Sequence, residues 1–312
     1  MAPRISKALL IAFACLVLSC KGFTKGAWLT PYRSSVKSVS AAVAQLQKLK
    51  GLGVTRIYVD GFASGYMYAQ SATWQSSIPG ATNNDNVATI CQAAQQVGGI
   101  EVVAWLEYGL RASSDYSLGL YGKFAQSKGW ISGKSAGYYW ISPDHADFRQ
   151  WFTQVVADIN NHYKSYGCFR GVQLDDNFHV PRGFSGVNGI TTLVGQISAA
   201  VGSNWLSLAP APMPFAQSDQ NVNWPAWMNA GYAYEVIPQT YTASQSTFEN
   251  EVATQLRYYG NKAKLGAGVR CQGSSAPKLT PVNVIRSELA YAQQVGLSSA
   301  VVWQQFCYGY YH

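Results

Sequence analysis

Gly171-Val172-Gln173-Leu174-Asp175-Asp176-Asn177-Phe178-His179 is the stretch on which the reading of the whole chain turns. Alternation along a strand sends Gln173 and Asp175 to one face and Val172 and Leu174 to the other. The aliphatic pair suits a face covered by helices, so Gln173 and Asp175 point the opposite way, into a shared interior, and Asp176 follows at the rim. Two acids directly after an apolar strand are costly unless they are solvated, paired or used. Capping of the following loop is the plain alternative for each.

Outward from this strand the same rhythm repeats in both directions. Short apolar runs near Gly26–Thr30, Val54–Phe62, Ile100–Leu106, Phe169–Asp175, Trp205–Ala209, Glu235–Tyr241, Lys264–Val269 and Ala300–Phe306 read as strands. Between them lie longer amphipathic runs. That of Ser35–Leu52 carries Val36, Val39, Val43, Leu46 and Leu49 at three- and four-residue spacing and ends at Gly53; that of Asn86–Val97 ends at Gly98-Gly99. Eight strands alternating with helices are the count of a single α/β domain of the (β/α)8 TIM barrel type. An open doubly wound sheet would place a glycine-rich phosphate turn after its first strand, and Thr30-Pro31-Tyr32-Arg33 is not one. An aromatic-rich segment, Tyr108–Pro143, interrupts the rhythm after the third strand.

The 312 residues, 48% of them hydrophobic, suffice for a large core and exclude a disordered tail or a disulfide-only scaffold. Charged residues are only 12%, while aromatics reach 13%, a balance suited to a sugar-handling surface. The formal charge of +8 is scattered rather than striped, so no nucleic-acid partner is expected. Arg4 and Lys7 precede the apolar run Ala8–Leu18, too short to span a bilayer and ending before Cys20. Residues 1–20 therefore read as a signal peptide and 21–312 as the mature domain of a secreted, monomeric protein; Cys20 also offers an acceptor for a lipid anchor at the envelope. Past this leader, Cys91, Cys168, Cys271 and Cys307 allow three disulfide pairings or free thiols, with Cys271–Cys307 favoured by its place near the ends of the last two strands.

In such a barrel the chemistry gathers at the C-terminal ends of the strands. The third strand ends in Glu107, the fourth in Asp175 and Asp176. A carboxyl pair straddling a bond is what glycoside hydrolysis needs, one to protonate the leaving oxygen and one to attack or activate water. Glu107 could instead partner Arg111. Asp60, ending the second strand, either binds a hydroxyl or caps its turn. Gln239 and Tyr241 share an inward parity in the sixth strand; Glu235, at that strand's start, reads as lying on the wrong face. Asn177 and His179 stand beside the acid pair, and Trp303 lines the floor or belongs to the core. Tyr32, Trp130, Trp140 and Trp224 are candidate stacking aromatics. His145, His162, His179 and His312 form no metal pattern, so neither metal nor cofactor is expected, and Gly-x-Ser-x-Gly is absent.

Five motifs in order resemble the glycosyl-hydrolase-like 10 group, distant relatives of the alpha-amylase superfamily. Gly26-Ala27-Trp28-Leu29-Thr30 is similar to its opening Gly-Val-Trp-Leu-Thr, and Ala104-Trp105-Leu106-Glu107-Tyr108-Gly109 to its third-strand motif. Trp140-Ile141-Ser142-Pro143-Asp144-His145 resembles its Trp-Leu-Asn-Pro-x-His. Gly171 to Phe178 resembles Gly-Ile-Gln-Phe-Asp-Asp-His-Phe, and Glu235 to Tyr241 its sixth-strand motif. The resemblance implies a TIM barrel with Asp175 as the leading catalytic residue. It departs at Asn177 (usually His), at Thr242 (often Arg), and in Leu208-Ala209-Pro210-Ala211-Pro212, which lacks the amylase-like fifth-strand glutamate. The expected activity is hydrolysis of a polysaccharide or oligosaccharide, with Asp175 as nucleophile or base, Glu107 as acid and Asp176 as modulator. A non-catalytic carbohydrate-binding barrel is the rival.

Overall fold

The computed structural model describes residues 22–30, 38–113, 118–271 and 280–303. Its strands, numbered in chain order, are β1 (Thr24–Leu29), β2 (Arg56–Ala63), β3 (Tyr66–Met67), β4 (Glu101–Leu106), β5 (Ile131–Ser135), β6 (Tyr138–Ile141), β7 (Phe169–Leu174), β8 (Leu206–Leu208), β9 (Glu235–Val236), β10 (Gly266–Arg270) and β11 (Ser299–Trp303). The helices are α1 (Val39–Gly51), α2 (Ala72–Ser77), α3 (Asn86–Val97), α4 (Gly119–Ser127), α5 (Ala146–Tyr163), α6 (Val187–Val201), α7 (Phe215–Ser218), α8 (Trp224–Asn229), α9 (Gln245–Tyr258) and α10 (Val282–Gln294).

Eight strands pair in the order β10-β11-β1-β2-β4-β7-β8-β9, all parallel. The ends of this sheet meet. Val236 N donates to Lys264 O at 2.9 Å, a bridge pairs Val236 with Leu265, and Gly268 N donates to Pro238 O at 2.8 Å. The sheet is thus curled into the expected (β/α)8 barrel. The sixth barrel strand is far shorter than its apolar run implied, because Pro238 has no N–H to give the ladder.

Local chemistry sets the helix ends. The Ser38 hydroxyl accepts from Ala41 N to start α1, and Asp85 Oδ1 accepts from Ala88 N at 2.8 Å to start α3. Gly98 and Gly99, both at positive φ, stop α3. Fully buried Leu46 of α1 contributes about 1.5–3 kcal/mol by leaving water.

Two cores result, as alternation requires. Val172 and Leu174 pack outward in the layer between strands and helices. Trp28, Tyr58, Val103, Trp105, Ala209, Ile237 and Val301 fill the barrel itself. Gly171 is where β7 touches its neighbour most closely: its φ is +120°, and a Cβ there would lie 2.0 Å from Trp205 O.

The barrel's lower end corrects one expectation. Glu235 is not on an outer face. It shares parity with Ile237 and Gln239 and points inward, where Arg56 Nη1 donates to its Oε2 at 2.7 Å and Tyr58 and Ser207 donate to Oε1 at 2.8 and 2.9 Å. Ser207 in turn accepts from Gln173 Nε2 at 2.9 Å, and Gln173 Oε1 accepts the Trp28 indole N–H at 2.7 Å. Arg56 reaches outward to Glu101 at 2.6 Å. This polar column runs up the barrel axis and supports Gln173, one inward step below Asp175.

Among the described residues no helix is long and apolar enough to cross a membrane. Cys91 and Cys168 are free thiols. Cys307, and with it the favoured Cys271–Cys307 pairing, lies outside the described residues, as do Cys20, Tyr32 and His312.

Candidate functional site

Asp175 follows β7 on the inward parity and is 5% exposed at the base of the barrel mouth. Both of its oxygens accept. Gln239 Nε2 donates to Oδ1 at 2.7 Å while also donating to Ala209 O, and Asn177 Nδ2 donates to Oδ2 at 3.3 Å. Burial pushes the Asp175 carboxyl well above its ordinary range, and the like charges of Asp176 and Glu107 push it further. The same three carboxyls, with burial foremost, raise the Tyr241 phenol. Asp175, Asp176, Glu107 and Tyr241 therefore form one electrostatic cluster.

Asn177 is itself held. Its Oδ1 accepts from Arg111 Nη1 at 3.0 Å. Arginine can only donate, so the amide is oriented with Nδ2 toward Asp175. Arg111 lies over the Tyr138 ring at 3.5 Å and the Tyr108 ring at 4.3 Å, and donates to Tyr108 OH at 3.0 Å. Among the described residues Arg111 forms no ion pair with Glu107; the ion pairs are those of Arg56 and Arg170. Sequence reasoning weighed Arg111 only as a partner of Glu107 and missed its part here.

The interrupting segment supplies this wall. It forms α4 and the β5–β6 hairpin, which docks on the loop after β4: Ala112 N donates to Tyr139 O at 2.8 Å and Ile141 N to Leu110 O at 2.9 Å. Trp140 then lies 4.3 Å from the His179 ring, centroid to centroid. His179 Nδ1 bonds the Asp176 carbonyl, so Nδ1 carries the proton and Nε2 is left as an acceptor. Burial lowers the His179 pKa, which keeps the ring neutral.

On the opposite side, Tyr241 stacks on Trp303 at 5.7 Å and meets Trp28 edge-on at 6.4 Å. Trp303 is thus floor and core at once, half-buried against the inner cluster. Asp60 sits within β2, fully buried, rather than capping a turn. Trp130, Trp140 and Trp224 are core residues, 2%, 5% and 0% exposed, so none is an open stacking surface. Thr242 faces α10, where its hydroxyl meets Glu288 and Ser244 O, so this departure from the sixth-strand pattern falls outside the carboxyl cluster. Among the described residues no group of three or more His, Cys, Asp and Glu could hold a metal ion.

Residues 24–192 match the glycosyl hydrolase-like 10 family. The chain belongs to that family. No curated protein sequence matches it. Among solved structures, this glycosyl hydrolase-like 10 barrel is similar to the PgaB (BpsB) glycoside hydrolase domain from Bordetella bronchiseptica, with a TM-score of 0.66 at 11% identity over 90% of this chain and 94% of that one. It also resembles alpha-L-fucosidase isoenzyme 2 from Paenibacillus thiaminolyticus (TM-score 0.65, 13% identity, 92% of this chain and 48% of that one). The catalytic domain of beta-amylase from Paenibacillus polymyxa matches at TM-score 0.61 and 12% identity, over 92% of this chain and 93% of that one. At these identities the likeness is one of fold.

Proposed function

We propose that this protein is a secreted glycoside hydrolase that cleaves a polysaccharide by paired-carboxyl chemistry. The observation that carries the reading is Asp175: a buried carboxyl at the end of the fourth barrel strand, fixed by two amides and crowded by two further acids. A carboxylate whose two oxygens are held by Gln239 and Asn177 is pre-aligned to attack or to activate water. Glu107, at the end of the neighbouring strand, is the general acid. Asp176 modulates the charge state of Asp175. Tyr241, Asn177, His179 and Gln239 position sugar hydroxyls; neutral His179 offers Nε2 as an acceptor, and Trp303 holds Tyr241. The family match and the glycoside hydrolase barrels among its structural neighbours support the same class of chemistry.

Removing a positioned acid or base lowers rate by about 10²–10⁴. The test is a screen of the secreted protein and its Asp175→Asn variant against neutral, acidic and amino-sugar polymers, with oligosaccharide release read by mass spectrometry. Release by the native protein and not by the variant is expected. Equal release by both removes Asp175 from the mechanism. Tight glycan binding without release by either would instead make the barrel a carbohydrate-binding module.

A further inference from the structure

Cys91 and Cys168 come together at the barrel end opposite the carboxyl cluster. Cys91 is in the middle of α3 and fully buried. Cys168 precedes β7, and its carbonyl accepts from Val102 N at the start of the neighbouring β4. Cys168 Sγ lies 3.4 Å from Cys91 O across a separation of 77 residues. Interaction with the neighbouring thiol, together with burial, raises Cys91 above the ordinary thiol range, and interaction with Cys91 lowers Cys168 below it. Cys168 is half-buried and borders a surface pocket of about 540 Å³ lined by Ala94, Gln95, Gly98, Gly99, Glu101 and Gly167. One thiol is thus reachable from solvent, and the second waits behind it.

We propose that Cys91 and Cys168 are a redox-closable pair that forms a disulfide stapling α3 to the entry of β7. The step balances with a small-molecule disulfide as oxidant. The Cys168 thiolate attacks one sulfur of the oxidant and expels its other half as a thiolate. Cys91 gives up its proton and attacks Cys168 Sγ, expelling the second half. Two thiols become one disulfide, and the oxidant becomes two thiols. The pocket admits the oxidant to Cys168, and burial shields the product from reduction. The bridge lies at the stability face of the barrel, remote from the acids, so it acts on folding rather than on turnover. Closing a loop of this size shifts the unfolding equilibrium by about 10³-fold, or roughly 5–10 °C in Tm.

The experiment uses the full chain equilibrated with glutathione disulfide, alkylated in denaturant without reductant, and peptide-mapped by mass spectrometry. A Cys91–Cys168 cross-linked peptide, two hydrogens lighter than its reduced parts, is expected. Alkylation of both cysteines, or glutathione retained on Cys168 with Cys91 alkylated, overturns the proposal. As a second readout, reductant should lower Tm more in the native chain than in a Cys91→Ala/Cys168→Ala variant. Equal shifts would assign the effect to other cysteines and overturn the staple.

Discussion

Replacing Glu235 with leucine tests the polar column beneath the site. The carboxylate accepts from Arg56 Nη1 at 2.7 Å, Tyr58 OH at 2.8 Å and Ser207 Oγ at 2.9 Å. The side chains of Arg56 and Glu235 are only 10% and 5% exposed, so water cannot replace the lost acceptor. Breaking a buried ion pair by removing one partner costs about 3–5 kcal/mol. Arg56 keeps Glu101, whose side chain is 40% exposed, which trims the cost of the orphaned charge. Against this, two hydroxyls lose their acceptor. We expect a loss of about 4 kcal/mol for Glu235→Leu and about 2 kcal/mol for Glu235→Gln, which keeps the shape and one acceptor. At a slope of about 3 kcal/mol per molar, the leucine variant should unfold at about 1.3 M less urea. A drop under about 1 kcal/mol for Glu235→Leu would show that the column is not a folding determinant and refute the reasoning.

Three further outcomes follow from the site. Asp176→Asn removes a like charge that raises Asp175, so the acidic limb of the pH–rate profile should move to lower pH; an unchanged limb would show that Asp175 is not the ionisation seen. Arg111→Met and Asn177→Ala should each lower turnover about tenfold without unfolding the chain, and the double variant should be no worse than Asn177→Ala alone, because Arg111 acts through the Asn177 amide; additive losses would exclude that relay. Glu288 is fully buried, and burial pushes its carboxyl from 4.5 up to about 8. The unfolded chain then loses this proton first, so stability falls as pH rises from about 4.5 towards 8. Glu288→Gln should flatten that fall in a Tm-versus-pH series, and an unaltered slope would place its origin elsewhere.

The barrel was legible in the sequence because each strand's alternation depends only on neighbours along the chain. Val172 and Leu174 had to face helices, and Gln173 and Asp175 had to face the interior, whatever the rest of the fold did. Helix ends at Gly53 and Gly98-Gly99 are equally local, set by backbone conformation. The same alternation places Glu235 inward with Gln239; its position at the start of the strand puts it at the far end of the barrel from the mouth, not on the outer face. Other features have no local signal. That Arg111 serves Asn177 rather than Glu107 depends on an interaction across 66 residues of chain and on a hairpin that sandwiches the guanidinium. That Trp130, Trp140 and Trp224 are all buried, with Trp140 packed against the His179 ring, depends on which helices and loops cover each ring. The meeting of Cys91 and Cys168 depends on the packing of α3 against the entry to β7. Sequence by itself determined strands, helices and the face each side chain takes, because those follow from periodicity over a few residues. Only the tertiary structure decided which carboxyls share a field and which amides orient them, because Coulomb and hydrogen-bond energies depend on distances in space that chain separation does not set.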